Sequence, residues 1–83
     1  MKQFRFIEHA LKELQRRSIP MSVVMNTLEH PDQVVPNVED RVAYQKIIEI
    51  SGKRYLLRVI VENGDTVVTV YRTSKITKYW SDE

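Results

Sequence analysis

The dipeptide Asn63-Gly64 stands between KRYLLRVIVE and DTVVTVYRT, two runs rich in β-branched and aromatic residues. A tight turn that needs positive φ at both central positions is supplied most readily by Asn-Gly, so these runs form an antiparallel hairpin. VAYQKIIEI, joined to the first run by Ser51-Gly52, adds a third strand. The expected strands are 42–50, 53–62 and 65–73, in consecutive antiparallel order.

The turn predicts a register. A two-residue Asn63-Gly64 loop sets Val61 opposite Thr66, Val59 opposite Val68, Leu57 opposite Val70 and Tyr55 opposite Arg72. Leu57, Val59, Val61, Val68 and Val70 then share an aliphatic face that must be covered, because strand side chains alternate between faces. The other face carries Leu56, Arg58, Ile60, Val67, Thr69, Tyr71 and Thr73, and it is expected to be open. If Ser51-Gly52 is also a two-residue turn, Gln45 lies opposite Arg58. Lys46 then points to the core side, so it must snorkel at an edge unless the first strand bulges.

The cover comes from upstream. Ile7, Ala10, Leu11 and Leu14 have the spacing of an amphipathic helix, expected over about 7–17. Pro20 suits the start of a second helix, which carries Val23, Val24 and Leu28 and stops near 29, before His30-Pro31. Only Ser18 and Ile19 join the two. Phe4 and Phe6, alternating with Arg5, suggest a short edge strand or an extended arm. Residues 31–41 read as a loop with an extended piece at Val34 and Val35. The fold class is α+β: two N-terminal helices on one face of a three- to four-stranded antiparallel sheet, in one domain over residues 1–83.

A domain of 83 residues builds only a modest core, which makes a partner or a homodimer a reasonable expectation. With no cysteine there is neither a disulfide nor the usual thiolate zinc site. Charges interrupt the apolar residues of MKQFRFIEHALKEL, so neither a signal peptide nor a membrane span is expected, and the expected location is cytoplasmic. A net charge of +2 permits a nucleic-acid partner without demanding one.

Chemistry is sparse. Arg58 is a lone charge inside LLRVIV, where a rigidly held guanidinium could clamp phosphate or carboxylate; the plainer alternative is an arginine paired with Glu49 or Glu62. Tyr71, Arg72 and Thr73 end the last strand and lead into SKITKYW, whose Lys75 and Lys78 interleave with Tyr79 and Trp80. Such a stretch can neutralise phosphates and stack bases, or its aromatic pair can fold back as an apolar plug. His9 is the histidine best suited to acid–base work, with a helix-start cap as its plainer role. His30 has no partner at ligand spacing, and neither a metal site nor a cofactor motif is present.

HALKELQRRSI, LEHPDQVVPN, YLLRVIV and VTVYRTSKITKYW together resemble a family of small proteins of unknown function that often sit in toxin–antitoxin-like gene pairs and are related to the RelE/ParE and BrnT toxins. The likeness covers nearly the whole chain through short motifs. It implies a RelE-like fold and an mRNA endonuclease, ribosome-linked or free, that is metal-independent and neutralised by a cognate antitoxin. Matching positions are His9, Ala10, Arg17, Ile19, Pro31, Tyr71, Arg72 and Thr73. Carried over, the roles fall to Arg58, Tyr71, Arg72 and His9 as catalytic residues and to Arg17, Thr73, Lys75 and Lys78 as substrate-binding ones. Glu13 stands where relatives commonly place a second basic residue. The same sheet face could equally serve a non-catalytic module that binds protein or nucleic acid.

Overall fold

The structure, a computed structural model, describes residues 3–82. Its elements are β1 (Arg5–Phe6), α1 (Glu8–Arg16), α2 (Met21–Glu29), β2 (Gln33–Pro36), β3 (Arg41–Ile50), β4 (Lys53–Glu62), β5 (Thr66–Thr73) and α3 (Ile76–Tyr79). The fold is α+β, and the helices and central strands follow the sequence pattern closely. The sheet is larger than expected: five strands in the order β1-β5-β4-β3-β2, mixed because β1 runs parallel to β5. The extended piece at Val34 and Val35 became β2, paired to β3, and Arg5 and Phe6 of the N-terminal arm became the edge strand β1.

Both turns use left-handed backbone at Ser51 and Gly52 and at Asn63 and Gly64. The first is the expected two-residue turn, with Ile50 opposite Lys53 and Gln45 opposite Arg58. The second holds one residue more. Glu62 pairs with Thr66 and Val61 with Val67, leaving Asp65 in the turn, where its carbonyl accepts from the Arg5 N–H at 2.8 Å.

That shift by one residue would turn all of β5 over, because the side-chain period of a strand is two. A bulge between Val67 and Thr69 corrects it: beyond it Ile60 faces Thr69, Val59 faces Val70 and Arg58 faces Tyr71. Val70 therefore stays on the expected face, while Val67 and Val68 exchange faces. Val67 joins Leu57, Val59, Val61 and Val70 beneath Ala10, Leu14, Ile19, Val24 and Leu28 of the helical segment. Val68 packs with Ala43 and Ile60 on the reverse face, against Val35 and Tyr71.

Lys46 snorkels, and its strand pairs with β4 without a bulge. Its ammonium donates to the His30 carbonyl at 2.8 Å and lies 3.9 Å from Asp32. A cation at the C-terminal carbonyls of α2 satisfies an otherwise unpaired acceptor and complements the helix dipole. On α1, Glu13 receives Arg17 at 2.9 Å and Arg16 at 3.1 Å. The Arg17 hydrogen bond, with help from Arg16, holds the Glu13 carboxyl below its ordinary range despite the opposing effect of burial.

The reverse face was expected to be open. Instead, the segment after β5 turns back onto it, with the Tyr79 ring over Arg58 and Ser81 bonded to Gln33, and Leu56 to Val61 are buried throughout. The aromatic end does fold back, but Tyr79 lies on Arg58 and Tyr71 rather than in the apolar cluster. Among the described residues, no helix is long and apolar enough to cross a membrane.

Candidate functional site

Four side chains form a row on the reverse face, one from each of four adjacent strands: Gln33 on β2, Gln45 on β3, Arg58 on β4 and Tyr71 on β5. Each stands directly opposite the next in the ladder. The sheet's spacing of about 4.8 Å between strands suits consecutive side-chain hydrogen bonds. Arg58 Nε donates to Gln45 Oε1 at 2.6 Å, and Arg58 Nη1 donates to the Tyr71 hydroxyl. Gln45 Nε2 donates to Gln33 Oε1 at 3.1 Å and to the Tyr79 carbonyl at 3.2 Å.

The far end of the row holds the chain's own C-terminal segment. Gln33 Oε1 accepts from the Ser81 N–H at 3.1 Å, and Gln33 Nε2 donates to the Ser81 carbonyl. The Gln33 carboxamide therefore reads both main-chain groups of one residue, as a neighbouring strand would. Gln45 is fully buried, yet both of its amide atoms are bonded. No buried side-chain nitrogen or oxygen among the described residues lacks a partner.

Arg58 is the electrostatic anomaly. Its residue exposure is 7%, and none of the ion pairs among the described residues includes it. Its partners are an amide, a phenol and the Tyr79 ring, over which the guanidinium carbon lies 4.4 Å from the centroid. The expected carboxylates do not reach it: Glu62 pairs with Arg41 at 3.0 Å, and the cross-strand partner of Glu49 is Arg54. Buried cations are ordinarily paired with charge, so this one keeps an uncompensated field directed at Tyr71. Tyr71 is half-buried, and because Arg58 donates to its oxygen, its own proton can point outward.

The other residues named from the sequence divide into three places. Thr73 ends the Tyr71 strand, and its hydroxyl accepts from the Lys75 N–H at 3.0 Å. Lys75 and Lys78 are exposed on the returning segment, with Lys78 Nζ 5.3 Å from the Tyr79 centroid. Arg72 faces the helices, as the register predicts, and therefore stands apart from Tyr71, with which it was grouped as catalytic; its guanidinium lies 5.1 Å from the Tyr55 centroid. His9 is exposed beside a hollow at the β4–β5 hairpin end that is lined by Arg41, Glu62, Thr66 and Thr69, not by the arginine–tyrosine pair. Arg17 is committed to Glu13. The four residues assigned to catalysis thus do not form one centre; Arg58 and Tyr71 do.

Sequence reasoning missed Gln33 and treated Gln45 only as Arg58's neighbour. The signal available was a glutamine opposite an arginine inside an apolar strand pair, since a polar residue at a buried position needs a partner of its own. Among the described residues, no group of three or more His, Cys, Asp or Glu side chains is placed to hold a metal ion. No protein-family model, no curated protein and no solved structure matches the chain.

Proposed function

We propose that the chain is a toxin-like protein of RelE-like build that acts on RNA, is neutralised by a cognate antitoxin, and uses Tyr71 and Arg58 as its reactive pair. The observation that carries this reading is the buried Arg58 guanidinium, which has no carboxylate partner and donates to the half-exposed Tyr71 hydroxyl. A phosphodiester at Tyr71 would supply the anion that the cation lacks, and the returning segment adds exposed positive charge at Lys75 and Lys78.

Metal-independent cleavage then needs little machinery. The ribose 2′-oxygen attacks phosphorus and loses its proton to water, the bond to the 5′-oxygen breaks, and that oxygen takes the Tyr71 proton. Water afterwards restores the phenol. The Arg58 charge stabilises the negative charge that develops on the phosphate and on the phenolate. This assigns Tyr71 the role of general acid.

The burial of Arg58 and the row's bonding to the chain's own terminus favour one other reading, a non-catalytic binding module on the same face. Single-stranded RNA incubated with the purified chain decides between them. Cleavage that Tyr71→Phe abolishes at unchanged affinity supports the enzyme; binding without cleavage in either protein leaves the module. Growth arrest on induction, relieved by a neighbouring gene product, tests the toxin assignment.

A further inference from the structure

Tyr71 and Arg72 are consecutive on β5, so they serve opposite faces of the sheet, and Arg72 has surroundings of its own. Its guanidinium reaches over the Tyr55 ring, and Lys53 Nζ lies over the same ring, 5.5 Å from its centroid. Neither cation takes part in any ion pair of the described residues. Beside them, where the helical corner overhangs the end of the sheet, Arg72 borders a cavity of about 240 Å³. Its roof is Ile19, Pro20 and Val23; its floor is Ile48 and Ile50, the cross-strand neighbours of Tyr55 and Lys53.

We infer that this end of the helix face binds the carboxy-terminal residue of a partner polypeptide, with an aliphatic side chain in the cavity and the terminal carboxylate on Arg72 and Lys53. An unpaired arginine lining an apolar hollow, with an unpaired lysine on the same tyrosine ring, suits an anion attached to an apolar body. A nucleotide supplies the anion but not the body, because its base edges would lose water against five aliphatic side chains, with only Ser18 and Glu49 as further lining. An aliphatic side chain loses nothing there. Glu49 also lines the cavity, but Arg72, Lys53 and Arg54, its cross-strand neighbour, outnumber it at this end of the sheet.

The probe is N-acetyl-Ala-Leu with a free carboxylate, compared with its carboxamide and with adenosine monophosphate, followed by methyl NMR of the intact chain. The acid should shift Val23, Ile48 and Ile50 and leave Val34 unmoved. Removing the charge from the ligand should weaken binding about tenfold, and Arg72→Met, which keeps an unbranched stem over Tyr55, should do the same. Lys53→Ala, at an exposed position, should weaken binding without touching the fold. The inference is overturned if the carboxamide binds as well as the acid, if the nucleotide binds as well or better, if the two variants bind like the parent, or if millimolar acid moves none of the three methyl-bearing residues.

Discussion

Arg58 and Tyr71 face each other directly across β4 and β5, and the guanidinium donates to the phenol oxygen. The sequence register had placed them diagonally; the three-residue turn and the bulge beyond it bring them opposite. Tyr71→Phe keeps the ring and the bulge but removes one of Arg58's two side-chain acceptors, leaving Gln45. RNA affinity should stay within about twofold, since stacking survives, while cleavage is lost. Gel-shift and cleavage assays on the same preparation check this, and retained cleavage would remove Tyr71 from the chemistry.

Both faces of β4 are buried, so both should be sensitive to truncation. Val59→Ala and Val70→Ala on the helix face should each cost about 1 to 3 kcal/mol, and Leu56→Ala on the reverse face about 2 to 5 kcal/mol. Thr69→Ala, partly exposed, should cost much less. Urea unfolding measures each, and a Leu56 variant as stable as the parent would mean that residues 74–82 do not seal that face.

The returning segment should open more readily than the core. It is tied to the sheet mainly by neutral side-chain to main-chain bonds from Gln33 and Gln45, at the end of the described chain. Native-state hydrogen exchange should therefore release the Ser81 amide at a lower free energy than the Val59 amide. Gln33→Leu should shift the emission of Trp80, the chain's single tryptophan, towards the red in the folded protein. Equal protection at Ser81 and Val59 would make the segment an integral part of the cooperative unit.

Glu13 sets a pH dependence. Its folded-state titration is lowered, chiefly by the Arg17 hydrogen bond, so its ionised form favours the folded chain. That contribution is fully present above the ordinary carboxylate value of 4.5 and is lost as pH falls through the lower folded value. Glu13→Gln should consequently lower stability at neutral pH and flatten the dependence of the unfolding midpoint on acid. An unchanged acid slope would show that the Arg16 and Arg17 contacts contribute nothing.

The chain's local pattern determined its elements. Hydrophobic spacing located α1 and α2, Pro20 and His30-Pro31 bounded the second helix, and two turns with left-handed backbone divided the β region into its three long strands. These are short-range effects of sterics and side-chain period, and they can be read from neighbouring residues. The pairing of Gln45 with Arg58 was legible for the same reason, since the Ser51-Gly52 turn counts residues outward without interruption.

Tertiary structure decided the rest. The extra turn residue at Asp65, fastened to β1, and the compensating bulge depend on an edge strand from the other end of the chain, so no local signal placed Val67 and Val68 on their faces. Whether Tyr79 and Trp80 would cover the reverse face also rested on distant residues. Gln33 and Gln45 lie 48 and 34 positions from the carbonyls they hold. A buried arginine needs its partners in space rather than in sequence, and only the folded sheet assembles Gln33, Gln45, Arg58 and Tyr71 into one row.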